Sequence, residues 1–366
     1  MPTENKVKNS VTVIRGKAKT TGEKIEIAYL GYDYVNARFW VSLFFENPLY
    51  GAPEYVPEKN LIRKLNNYHP QCSLLLSENS LPEKIIANSG ETFIIPRFIN
   101  TQMDVSAPLD EMLKNSRSGF GRIARWVKSQ KLDYEIETSE EAQHVFYDRM
   151  YLPFVAKRHQ DKSLIVTFEN IFSPTIKSEI IMVKKNGERI AGLVMHYWQN
   201  RPTLGFFGVK EGVMNEILKW NTSAMYYFAV IEAKKKDINM LHLGGSPAFM
   251  LNGINAQKAR LGAKIDAGIP WQDSGMVKMT ILKKSDALLN YLAANPFAFV
   301  GDNGKLTAAI WLPPGRTISF DDTKNQIAFA EKLGIEKAVL FRMKSNPAVK
   351  ELSKRTGIPD IMITNF

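Results

Sequence analysis

Residues 179–195 read Glu179-Ile180-Ile181-Met182-Val183-Lys184-Lys185-Asn186-Gly187-Glu188-Arg189-Ile190-Ala191-Gly192-Leu193-Val194-Met195, two apolar runs on either side of an Asn-Gly pair. Asn-Gly between apolar runs is the strongest short-range signal for a β-hairpin. A third run follows at 204–209. An amphipathic helix over 222–236 then leads into Met240-Leu241-His242-Leu243, which breaks at Gly244-Gly245. Parallel neighbours need a long crossover whereas antiparallel ones need only a turn, so this order predicts a sheet that changes from hairpins to a helix crossover. A cleft is expected at that change.

Outward from this centre, residues 11–110 alternate short apolar runs with turns. Strands are expected at 25–29, 38–45, 73–76 and 92–95, and a helix over 61–67. From Leu109 the period becomes helical: Leu109, Met112, Leu113, Ile123 and Trp126 recur on one face, while Arg117, Arg122, Arg125 and Lys128 crowd the other. A helix over 139–157 starts with Ser139 as N-cap and Glu140 and Glu141 in its first turn, and ends at Lys157-Arg158-His159. Beyond the centre, strands are expected at 277–282 and 338–341, a hairpin at 297–300 and 306–311, and a helix over 321–333. The chain thus reads as mixed α/β in three consecutive blocks: an α+β unit at 1–110, a central domain at 111–275 and an α/β extension at 276–366.

The 366 residues are 45% hydrophobic and 23% charged, the balance of a soluble globular protein. The N-terminus is polar from Met1 to Lys6 and no apolar run approaches the roughly 18 residues that cross a bilayer, which predicts a cytoplasmic protein. One cysteine and five scattered histidines give neither a disulfide framework nor metal-ligand spacing, so no metal is expected. The formal charge of +11 favours a polyanionic partner: RNA, a phosphate-bearing cosubstrate or an anionic membrane surface.

Gly119-Phe120-Gly121-Arg122-Ile123-Ala124 matches a dinucleotide fingerprint in letters, but a polar helical segment precedes it instead of a buried strand, which argues against that reading. The arginines around it suit phosphate, since a guanidinium pairs bidentately with its oxygens. Tyr147 and Tyr151, four apart, share a helix face. Gly244-Gly245 gives the backbone room for close approach of a ligand. His242 in the strand before it reads as a half-buried structural residue. Lys258 and Arg260 follow on a short helix, where a cation can hold a phosphate or an oxyanion. Cys72, opening the run Ser73-Leu74-Leu75-Leu76, reads as a small core residue.

The basic helix at 116–128, the segment Phe146-Tyr147-Asp148-Arg149-Met150-Tyr151-Leu152-Pro153 with Arg158-His159, the Asn186-Gly187 hairpin, and the block from Leu243-Gly244-Gly245 to Gln257-Lys258-Ala259-Arg260-Leu261-Gly262-Ala263 together resemble the GNAT superfamily of N-acyltransferases, in its Fem-like branch. Gln257 stands where that branch often has an aromatic residue, and the stretch 210–224 lacks the glycine cluster that acetyl-CoA enzymes use to cradle pyrophosphate. The resemblance implies two GNAT-like halves, with residues 1–110 completing one of them, and no bound cofactor. It implies amide formation from an activated acyl donor carrying phosphate (aminoacyl-tRNA, acyl-CoA or an acyl carrier protein) and an amine acceptor. Such catalysis works by positioning and by backbone N–H groups at a splayed strand. It assigns Arg117, Arg122 and Arg158 to donor phosphate, Asn221 to capping a helix that faces the donor, Gly244 and Gly245 to close approach, Lys258 to electrostatic assistance, and Tyr151 and His159 to the acceptor side. The competing expectation is a non-catalytic RNA- or membrane-binding protein on a degenerate fold of this kind, with a filled cleft.

Overall fold

The two apolar runs around Asn186-Gly187 pair antiparallel as Lys177–Lys185 and Glu188–Trp198. Asn186 (φ 52°) and Gly187 (φ 82°) both take positive φ, the geometry whose twist matches the strands it joins. This hairpin sits at the centre of a computed structural model that describes residues 9–31, 34–56, 60, 72–78, 91–114, 119–159, 165–198, 201–212, 221–266, 275–312, 320–342 and 360–365. The helix expected over 61–67 lies outside the described residues. The fold is mixed α/β, in two compact units.

One unit comprises Asn100–Gly245 and Gly253–Asp266. Its elements run β1 (Phe98–Asp104), α1 (Leu109–Lys114), α2 (Phe120–Ser129), β2 (Leu132–Glu137), α3 (Glu140–Phe146), α4 (Leu152–His159), α5 (Phe168–Ile171), β3 (Lys177–Lys185), β4 (Glu188–Trp198), β5 (Arg201–Val209), α6 (Asn221–Lys235), β6 (Met240–Pro247), α7 (Gly253–Arg260) and β7 (Lys264–Ile265). The seven strands form one sheet in the order β7-β1-β6-β5-β4-β3-β2. Strands β2 to β5 are antiparallel neighbours, and β6 is parallel to β5 because α6 carries the chain back.

Two consecutive phenylalanines show how the sheet is covered. Phe207 meets Tyr226 of α6 with ring centroids 5.5 Å apart, and Phe206 meets Tyr151 on the opposite face at 5.7 Å. Helices α2 and α6 therefore cover one face, and the segment 147–159 covers the other. The helix expected over 139–157 is broken into three pieces. Ser139 caps α3, accepting from the Ala142 N–H at 3.3 Å, but residues 147–151 widen into a π-turn before α4 begins.

The other unit gathers residues 1–99, 246–252 and 267–366. The expected boundaries near 110 and 275 are therefore corrected. Strand Met276–Ile281 pairs antiparallel with both Leu74–Glu78 and Thr92–Pro96, so chain from far beyond the central domain completes the N-terminal sheet. A second sheet in this unit joins Phe297–Val300, Leu306–Leu312, Lys337–Arg342 and Asp360–Asn365, the last a strand that the sequence did not announce. Residues 38–44 of the strand expected at 38–45 belong to a helix, Tyr34–Phe44. Among its described side chains Ala37, Trp40, Val41 and Phe44 are buried, at the three-and-four spacing of a helix face, and the apolar residues between them hide that period in the sequence. Cys72 is fully buried, and burial pushes its thiol up to about 11, as suits a core residue.

Candidate active site

Two features of this unit bear on a site. The first is a recess of about 250 Å³ beside the N-terminus of α6, lined by Arg122, Thr222, Ser223, Gln257 and Arg260 among others. The first amides of a helix have no intrahelical acceptor and concentrate positive potential, so the turn carrying Thr222 and Ser223 favours an anion. Gln257 donates from Nε2 to Thr222 Oγ1 at 3.0 Å and to Ser223 Oγ at 3.4 Å, fixing α7 against this turn. The glycines of the 119–124 motif serve packing. Gly119 takes φ 75° at the N-cap of α2, and a Cβ on Gly121 would lie 2.3 Å from the Leu113 carbonyl oxygen. They bring α2 close and leave Arg122 exposed at the recess.

The second feature is a parting of strands. Strands β5 and β6 share one parallel register pair, Thr203 with His242. The β4–β5 register shifts between Leu193 and Met195, a bulge that re-aims β5 as it passes the pair. Beyond Thr203 the edge of β5 that faces β6 has no ladder partner among the described residues. The expected break at Gly244-Gly245 is instead a kink inside a continuing strand: Gly244 has φ 69°, and a Cβ there would sit 2.9 Å from the Leu204 carbonyl oxygen.

Lys258 lies behind this kink. It is 2% exposed, and its ammonium donates to the carbonyls of Gly244 at 2.8 Å and Gly245 at 3.2 Å. Desolvation pushes its pKa down to about 7. Lys258, expected to give electrostatic assistance, ties α7 to the glycine pair, and Arg260, two residues on, lines the recess. Tyr151 is likewise occupied. Its hydroxyl accepts from the Val166 N–H at 3.1 Å while the Tyr147 hydroxyl donates to the Val166 carbonyl at 3.2 Å, and the two rings stack at 5.6 Å. Burial raises the pKa of both phenols. Tyr151 thus clamps the chain leading to α5, on the sheet face opposite the recess. Arg117 lies outside the described residues, and so do the side chains of Arg158, His159 and Asn221.

Of the expected site residues, Arg122 lines the recess, and Gly244 and Gly245 lie where the strands part. Thr222, Ser223 and Gln257 were missed as lining residues, although the helix start after a crossover is a signal that points to them. A further arrangement was missed outright. His242 Nδ1 lies 2.8 Å from Asp266 Oδ2, with the residues 6% and 3% exposed. Burial of this histidine fits the sequence reading, but its carboxylate partner could not be read there.

No protein-family model matches the sequence, and no curated protein is similar to it. Among solved structures, the chain is similar to the C-terminal domain of a lysylphosphatidylglycerol synthetase from Agrobacterium fabrum, at 12% identity and a TM-score of 0.35, over 76% of this chain and 83% of that one. It is similar to FemX at 10% identity and a TM-score of 0.31, over 77% and 86% of the two chains. A GCN5-related N-acetyltransferase from Anabaena variabilis is similar at 8% identity and a TM-score of 0.31, over 96% and 85%. Among the described residues no helix is long and apolar enough to cross a membrane.

Proposed function

We propose that the unit of residues 100–245 and 253–266 is a GNAT-type acyltransferase domain of the Fem-like kind, forming an amide from an activated acyl donor and an amine. The observation that carries this reading is the parting of β5 and β6 after the single Thr203–His242 pair, in a unit that also holds a helix N-terminus flanked by Arg122 and Arg260. In a closed parallel sheet the N–H groups on the β6-facing edge of β5 would be spent on the ladder. Here they are left for a ligand, and an acyl carbonyl laid in the gap would meet donors suited to the oxyanion of a tetrahedral intermediate. Phosphate carried by the same donor would rest at the start of α6, between the two guanidinium groups. The reaction then needs mainly positioning, since an amine held against an activated ester or thioester gains from proximity alone.

The donor is read as phosphate-bearing: aminoacyl-tRNA, acyl-CoA or an acyl carrier protein. The formal charge of +11 and the lack of a glycine cluster at 210–224 favour aminoacyl-tRNA, whose backbone rewards basic surface. The test is intact-mass detection of an amide product when the protein is incubated with charged tRNA, acyl-CoA thioesters or acylated carrier protein and a pool of amines. Product from one donor class establishes the reading and names the donor. If none is consumed while RNA or anionic vesicles bind in a salt-sensitive way, the protein is a non-catalytic binding module.

A further inference from the structure

The histidine of the Thr203–His242 pair carries chemistry that positioning and oxyanion stabilisation leave out. His242 stands at the last register position before β5 and β6 part. Its neighbours Leu241 and Leu243 are buried in the apolar core, and strand alternation turns the His242 ring to the other face of β6 from theirs. There Nδ1 meets the buried carboxylate of Asp266, just after β7, and among the described residues Nε2 has no hydrogen-bond partner. A carboxylate beside Nδ1 accepts a proton held there, and this is the tautomer that leaves the Nε2 lone pair for a ligand.

We propose that His242 is the general base that takes the proton from the acceptor amine, with Asp266 as its positioning residue; this rests on the acyl-transfer reading above. The acceptor ammonium gives one proton to Nε2. The free amine then attacks the acyl carbon: a C–N bond forms and the carbonyl oxygen becomes the oxyanion. As the C–O or C–S bond of the donor breaks, a second proton passes from nitrogen to the departing oxygen or sulfur. The imidazolium returns its proton to solvent, so protons and bonds balance without a further reactant.

Two substitutions and one spectrum test this. H242N keeps a donor near the position of Nδ1, and with it the bond to Asp266, but deletes Nε2. With the donor identified above, its kcat is expected to fall by about 10²–10⁴-fold, with KM within about threefold and the thermal midpoint unchanged. D266N, which leaves the ring but spoils its orientation, is expected to lose less. In ¹⁵N-resolved spectra of the wild-type imidazoles, the signals lost in H242N are expected to show a protonated Nδ1 and a bare Nε2, and D266N is expected to shift that balance. Transfer at the wild-type rate by H242N overturns the base assignment and leaves the acyl-transfer reading standing. Absence of transfer by the wild type with every donor overturns both. Should H242N fail to fold, the His242 signals are assigned through their shift in D266N; a proton found on Nε2 overturns the proposal, and a bare Nε2 supports it.

Discussion

Gly244 concentrates two constraints in one residue. It needs a positive φ of 69°, and it needs the space that brings its backbone against the Leu204 carbonyl. A methyl group there meets both, so G244A is expected to destabilise the protein by about 2–4 kcal/mol, read as a lower urea midpoint at unchanged m-value. Lys258 sits behind it with its pKa pushed down to about 7, whereas in the unfolded chain it titrates near 10.4. Between those values the unfolded state holds more protons, so stability rises with pH. The cost of burying the ammonium is fully present below about pH 7 and is relieved as pH climbs towards 10. K258M is expected to flatten that rise, which amounts to on the order of 4 kcal/mol, in denaturation curves recorded from pH 6 to 10. A lysine at this place was legible in the sequence as a functional cation. Its actual contacts were not, because burial depends on what α7 packs against.

Between elements, the recess depends on three helix ends arriving together: the start of α2, the start of α6 and the length of α7. Arg122 and Arg260 both flank it and both are exposed, so replacing them leaves the core untouched. R122A/R260A is expected to weaken binding of a phosphate-bearing donor by about tenfold or more while the thermal midpoint holds within a few degrees. The loss is expected to shrink at high salt, because exposed charges act over a Debye length. Fluorescence titration of labelled donor at two ionic strengths checks this. The elements themselves were largely legible. Asn186-Gly187 dictates its turn by φ alone, Ser139 announces a cap, and the crossover helix before Met240 predicts a parallel partner. The helix Tyr34–Phe44 was misread because Phe39 and Leu43 fill the gaps between its buried positions, leaving no clean period. The π-turn at 147–151 was invisible, since one extra residue in a helix leaves no mark in composition.

At the scale of the whole molecule the chain does not fold as consecutive blocks. Met276–Ile281 fills the place between Leu74–Glu78 and Thr92–Pro96, so a fragment ending at residue 275 lacks a central strand of the N-terminal sheet. Such a fragment is expected to leave residues 9–96 without cooperative structure, seen as rapid amide exchange over that segment and easy proteolysis, because an open gap in a sheet strands two rows of backbone groups. By itself the sequence determined what a few neighbouring residues enforce: turns through positive φ, helix caps, the alternation of strands and a mixed α/β class. It also carried the surplus of positive charge and the candidate arginines. Only the tertiary structure decided that Arg122 and Arg260 line one recess, that Lys258 faces backbone, that His242 finds Asp266 and that the last quarter of the chain completes the first sheet. These pairings are set by strand order and burial, which couple residues far apart in the chain and leave no local trace of their partners.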